Sequence, residues 1–583
     1  MKAFTPASFH PNGLPANGSA AEAAGPGRGG ARLFSRGLTH VVAAVCAAAW
    51  VHFAVPLAVA ADGPVVQAPT GPVKGKAESG LHIFKGIPYA LPPVGDRRWT
   101  PPVAVPVWEE VRDAGDFGPA CIQPPSRPGS IYFEKLRSTS EDCLYLNIWA
   151  PEKAEKAPVF VWIHGGSLIA GAGSQTMYDG EALAKQGILV VSINYRLGIL
   201  GYLAHAELSA ESPDQVSGNY GLLDQIEALR WVGKNIAAFG GDPANVTIAG
   251  ESAGALSVMY LMAAPDARGL FAKAVAQSAY MVTAPSLKEK RYGSESGEAI
   301  GAWIVNKLGA TSVAELRGKD AQGLVDGVGR AGYFPFPSID GKVLPHQLVE
   351  VFDRGEQAPV PLLAGFNSGE IRSLRFLLPP PPDDAAAYEA AIRKGYGELS
   401  DEFLRQYPSR LIDEAMLAAT RDAMYGWTAE RLVRKQAEIG QPGYLYLFDH
   451  SYPAADKLGL HAFHAAEIPY VFGTTRRITD AWPKIPGTTT EKNLREAMMG
   501  YWSSFARTGK PVADGQPDWP GYAPDKGYMY FADKPHAATH LLPGMYELHE
   551  EVVCRRRAAG DIAWNWNVGV IAPPLPPKTT DCQ

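Results

Sequence analysis

The sequence predicts an α/β protein built on a large, mostly parallel central sheet flanked by helices. Three observations carry this. Val159-Phe160-Val161-Trp162-Ile163 and the run from Ile188 to Ile193 are nearly continuous in apolar residues, as strands covered on both faces of a parallel sheet must be. Tyr220 to Val232 spaces its apolar residues at three and four, an amphipathic helix that ends before Phe239-Gly240-Gly241-Asp242-Pro243. Gly250-Glu251-Ser252-Ala253-Gly254 then joins an apolar run, Val246 to Ala249, to a helical segment, Ala255 to Leu261. Strand, helix and strand in alternation imply right-handed βαβ crossovers.

Taken in order, the chain opens on a segment that reads as targeting. Residues 1 to 37 are rich in Gly, Ala, Pro and Ser, carry Lys2, Arg28, Arg32 and Arg36, and show no periodic apolar face. An apolar run from Val41 to Ala61 follows, ending in the small-x-small pattern Ala58-Val59-Ala60. Residues 1–61 are therefore expected to be a leader cleaved near Ala60, with the protein secreted or periplasmic. The rival is an uncleaved membrane anchor, against which Pro56 and His52 count. With the leader removed, no stable membrane insertion is expected. Residues 62–583 are expected to form a single domain.

Within that domain, Thr70 to Gly75 suggests a short hairpin, and Glu141-Asp142-Cys143-Leu144-Tyr145-Leu146-Asn147-Ile148-Trp149 an alternating strand. The chain has 583 residues, 46% hydrophobic and 20% charged, ample for a core. A net charge of −6 sets polyanion binding aside, so no nucleic-acid partner is expected. Beyond Cys46 in the leader there are four cysteines: Cys121, Cys143, Cys554 and Cys582. Three pairings are possible, of which the sequential one is simplest. None has a His or Cys neighbour at zinc-ligand spacing, so no metal is implied.

The central motif is Gly250-Glu251-Ser252-Ala253-Gly254. A strand entering a helix through G-x-S-x-G turns so sharply that its flanks need residues without a Cβ, and the turn lifts the serine hydroxyl clear of the sheet. Ser252 is the candidate nucleophile. The buried strand ending at Ile163 delivers His164-Gly165-Gly166-Ser167, whose glycines allow backbone N–H groups to approach a ligand closely. Together with Ala253, the segment Gly165, Gly166 and Ser167 is the candidate oxyanion hole.

At this point the chain resembles the type-B carboxylesterase/lipase family, the cholinesterase-like α/β-hydrolases. Glu141 to Asn147 and Phe239 through Gly254 match two of its signatures, and the likeness runs from about Val65 to about Phe531. The resemblance implies the α/β-hydrolase fold, cleavage of small-molecule carboxylic esters through an acyl-enzyme, a Ser-Glu-His triad without a cofactor, and a disulfide between Cys121 and Cys143.

In this fold the acid and then the histidine follow the serine. The family pattern G-x-N-x-x-E runs from Gly365 to Glu370, making Glu370 the acid; the glycine that usually follows is Ile371 here. The pattern H-x-x-E-[IL]-P-Y-V-F runs from His464 to Phe472, making His464 the base. His461 is its rival, and His450 reads as structural. Helix-rich insertions are expected around 284–330 and 383–436. The segment between Cys121 and Cys143 holds Tyr132 and Phe133 but no tryptophan, which disfavours choline esters. Ser167-Leu168 departs from the family's usual glycine and phenylalanine. Arg372 and Arg375 either accept an acidic substrate tail or pair within the fold. An amidase, a lactonase, or a non-catalytic binding module are the alternative functions.

Overall fold

In a computed structural model of the protein, the structure describes residues 63–565, 567–580 and 582. The expected leader and its cleavage site lie outside these residues. Eleven strands make the main sheet: β1 (Lys76–Glu78), β2 (Leu81–Pro88), β3 (Tyr145–Pro151), β4 (Ala157–Ile163), β5 (Leu189–Ile193), β6 (Gly241–Glu251), β7 (Lys273–Gln277), β8 (Leu362–Asn367), β9 (Gly443–Phe448), β10 (Gly527–Phe531) and β11 (Pro535–Thr539). Their order is β11-β10-β9-β8-β7-β6-β4-β5-β3-β2-β1. From β5 to β10 every neighbouring pair is parallel, and the antiparallel pairings sit at the two edges.

Strand β4 shows why its sequence is unbroken in apolar residues. Val159, Val161 and Ile163 point into one core, and Phe160 and Trp162 into the other, because successive strand side chains alternate faces. The first core is closed by helices α1 (Tyr220–Asn235), α2 (Ala253–Ala263) and α7 (Trp427–Glu438), the second by α8 (Thr489–Thr508). Burying an apolar side chain fully contributes roughly 1.5–3 kcal/mol, so a strand with two buried faces has no position where a polar residue is cheap.

Two helical segments carry small cores of their own. Helices α3 (Gly297–Lys307) and α4 (Ala321–Ala331) pack around Ile304, Val305, Leu324 and Val325. Helices α5 (Ala385–Tyr396) and α6 (Ile412–Arg421) pack around Tyr388, Ile392, Tyr396 and Met416, together with Leu548 and Val552 of α9 (Met545–Ala559). Helix α7 differs from these: its Leu432 and Val433 join the first sheet core, so it is the crossover between β8 and β9. Both disulfides are formed, Cys121–Cys143 and Cys554–Cys582. No helix among the described residues is long and apolar enough to cross a membrane.

Candidate active site

The site lies where the parallel strands end. Strand β6 delivers Ser252 directly into α2, with φ 56° and ψ −122°, a conformation that L-residues rarely adopt outside tight turns. The glycines on either side explain how the turn is possible. A Cβ on Gly250 would lie 2.5 Å from the carbonyl of Gly254, and one on Gly254 would lie 2.0 Å from the carbonyl oxygen of Ile163. Ser252 occupies the N-cap position of α2, yet its side chain makes no capping hydrogen bond, so the hydroxyl is not committed to the helix.

Strand β4 brings Gly165 against the same turn. A Cβ there would come within 2.8 Å of the Glu251 carbonyl oxygen and 3.2 Å of Ser252 Cβ, so only glycine lets the two loops meet. Beyond it, the Gly166 carbonyl accepts from the amides of Ile169 and Ala170, each at 3.0 Å, closing a tight turn. Ser167 and Leu168 take up φ of 58° and 60° inside it. The departure from the family's usual residues therefore falls on two left-handed positions. His164 anchors the turn from below: its ring stacks on Tyr195 at 4.5 Å and its carbonyl accepts from the Tyr195 hydroxyl at 2.8 Å. Burial pushes the imidazole of His164 down to about 4, which keeps it neutral.

Glu370 and His464 meet directly, carboxylate oxygen to Nδ1. Glu370 is fully buried at the end of β8, where it also accepts from the Ser278 hydroxyl at 2.6 Å and the Asn367 amide at 2.8 Å. The other ring nitrogen of His464, Nε2, lies 3.1 Å from a carboxylate oxygen of Glu251, the residue preceding Ser252. A third carboxylate, Glu467, is held behind them by Asn367 Nδ2 at 2.6 Å and Gln277 Nε2 at 2.8 Å. Tyr425 covers the imidazole from the side, ring centres 5.4 Å apart, and sits in a single π-helical turn, Asp422–Gly426. Such turns displace one side chain out of helical register and recur at functional sites.

Three carboxylates and one imidazole in so dry a space shift one another. Burial pushes Glu251 up to about 8; the nearby His464 opposes this, and the charges of Glu467 and Glu370 add to it. Burial on its own would lower His464, but Glu251 and Glu370 outweigh it and raise the imidazole to about 9. Replacing Glu251 with glutamine removes one of those raising charges, so the imidazole gives up its proton at lower pH. We expect the acid limb of the kcat/KM profile for an ester to move down by about 1 unit in Glu251→Gln. A limb that stays in place or moves upward would contradict this reading.

The rival histidines lie elsewhere. His461 is half exposed and pairs with Asp456 at 3.0 Å, and His450 is buried between Glu491 and Asp533 at 3.0 and 2.9 Å. Arg372 pairs with Glu414 of α6 at 2.6 Å, and Arg375 is exposed on a short turn. Sequence reasoning assigned no role to Glu251, Ser278 or Glu467, although Glu251 and Glu467 stand inside the two motifs that were read.

A mostly parallel sheet whose strand ends present a G-x-S-x-G turn defines an α/β-hydrolase. The sequence profile of the carboxylesterase family matches residues 62–547. The para-nitrobenzyl esterase of Bacillus subtilis (strain 168) is 36% identical over 470 residues, covering 79% of this chain and 92% of that protein. The fumonisin B1 esterase of Sphingopyxis macrogoltabida is 37% identical over 483 residues, covering 80% and 87%. Among solved structures, a PNB esterase superposes with a TM-score of 0.72 at 33% identity, covering 83% of this chain and 99% of that one. The chain belongs to the carboxylesterase family and is a carboxylic ester hydrolase.

Proposed function

We propose that the protein cleaves carboxylic esters through a covalent acyl-enzyme on Ser252, with His464 as general base and Glu370 as the group that orients it. The observation that carries this is the placement of His464, one ring nitrogen on Glu370 and the other facing the residue before Ser252. Ser252 Oγ attacks the ester carbonyl while His464 takes its proton. The N–H groups of Gly166, Ser167 and Ala253 receive the developing oxyanion, with Gly165 allowing the close approach. The imidazolium formed then protonates the departing alcohol. Water, activated by the same nitrogen, releases the acid and restores the serine.

The carboxyl of Glu251 has a place in this scheme. It faces His464 Nε2 across 3.1 Å, so while ionised it favours the imidazolium, and the serine proton is taken once that nitrogen is free. The wall beside the base is aromatic, Tyr425 backed by Tyr280 at 5.9 Å, which suits an uncharged part of the ester. The ester-cleaving relatives support the same chemistry. Two disulfides fit an oxidising compartment, so we place the mature enzyme outside the cytoplasm.

Incubation with a fluorophosphonate, followed by peptide mass mapping, tests the nucleophile. The adduct is expected on Ser252, with loss of p-nitrophenyl acetate turnover in proportion to labelling. An adduct on any other residue, or turnover that survives complete labelling, would overturn the assignment.

A further inference from the structure

The loop closed by Cys121–Cys143 touches both halves of the site. Gln123 forms a two-point contact with Gly171, its Nε2 donating to the Gly171 carbonyl and its Oε1 accepting from the Gly171 amide, each at 2.9 Å. Gly171 directly follows the turn that carries Gly166 and Ser167. The Glu134 carboxylate accepts from the Thr176 amide at 3.0 Å on the same side. Tyr132 reaches the other half: its hydroxyl lies 2.8 Å from the His464 carbonyl and 2.8 Å from Ser373 Oγ. A phenol has one proton and a carbonyl can only accept, so Tyr132 donates to His464 and Ser373 donates to Tyr132.

The peptide that Tyr132 grips is an unusual one. His461 and Ala465 have φ of 50° and 67°, so the segment carrying the base is bent at both ends by residues other than glycine. Such conformations persist only where the surroundings hold them. Here three successive carbonyls are held: Ala462 by the Gly369 amide at 2.8 Å, Phe463 by Asn367 Nδ2 at 2.8 Å, and His464 by Tyr132. The first two holders belong to the acid loop. The third comes from the disulfide loop, 332 residues away in sequence.

We propose that Tyr132 is a positioning residue for the reaction: its hydroxyl fixes the His464 peptide, so that the disulfide loop sets the imidazole against Glu370 while its Gln123 steadies the oxyanion turn. The proposal rests on His464 being the base. It also makes the disulfide part of the catalytic scaffold, because Cys121–Cys143 holds in place the segment on which both contacts stand.

Tyr132→Phe tests it, since the ring keeps its edge-to-face contact with Trp482 at 5.9 Å and only the hydroxyl is lost. Rates are taken per fluorophosphonate-titrated site, so misfolded protein does not count. We expect kcat for p-nitrophenyl acetate to fall about tenfold with KM within about twofold, as small misplacements of a catalytic group do. The acid limb of the pH profile should move down, because an imidazole that drifts from Glu370 loses part of what raises it. Opening this disulfide in the parent by Cys121→Ser with Cys143→Ser, which leaves Cys554–Cys582 closed, should reproduce both changes and add little to the variant. An active parent with a variant matching it in kcat and pH profile would remove this proposal alone; a parent with neither turnover nor labelling would remove the assignment of the base as well.

Discussion

Replacing His464 with alanine is expected to lower kcat/KM for p-nitrophenyl acetate by about 10⁴-fold or more, and adding Ser252→Ala to lower it little further. The two side chains act on one proton, so removing either removes the step and their effects do not add. The fold should survive the change. Glu370 keeps hydrogen bonds from the Ser278 hydroxyl and the Asn367 amide when the imidazole is gone. The measurement is steady-state kinetics of the two single variants and the double variant, with melting temperatures alongside. A loss below tenfold, or two full losses that multiply in the double variant, would show that His464 and Ser252 do not work as one unit.

The second large effect concerns stability. Gly254→Ala adds one methyl group at a point where the nearest atoms are backbone, the Ile163 oxygen at 2.0 Å and the His164 carbonyl group at 3.0 Å. No flexible side chain is available to move aside, so β4 and α2 must separate. Overpacking of this kind costs about 3 kcal/mol, read as a lower midpoint in urea, and it displaces the oxyanion turn at the end of the same strand. Gly233 is the control, because it is exposed in α1 and a Cβ there meets nothing within 4 Å. Gly233→Ala should raise stability by up to about 1 kcal/mol through helix propensity. Equal midpoints for the two variants would mean that the close approach at Gly254 is not what demands glycine there.

Much of this architecture could be read from local pattern. The buried runs of β4 and β5 are nearly unbroken in apolar residues, the helix before Phe239 is periodic over its length, and G-E-S-A-G carries its own steric reason for each glycine. The residue pattern alone leaves three disulfide pairings open with the sequential one simplest, and the resemblance adds Cys121 with Cys143. What stayed hidden depends on contacts between distant segments. Glu251 was read only as the variable position of a motif, because nothing local says that His464 Nε2 ends 3.1 Å away. Nothing in the sequence around Ser278 says that its hydroxyl ends 2.6 Å from Glu370. Tyr132 reads only as one of two aromatics in a segment that lacks tryptophan, while its hydroxyl bond to the His464 backbone has no sequence signature. The helix-rich stretch 383–436 reads as one insertion, yet α7, which overlaps its end, packs on the sheet, since helical periodicity reports an apolar face and not what covers it.

The bends at His461 and Ala465 bear on what activity measures in this protein. The base and its acid partner are 94 residues apart, and the peptide between those bends is pinned by donors recruited from two remote loops. Such contacts exist only when both loops and the strands that carry them are in place together. Turnover is thus a stricter test of nativeness than helix content or compactness, and a chain can look folded by circular dichroism while remaining inert.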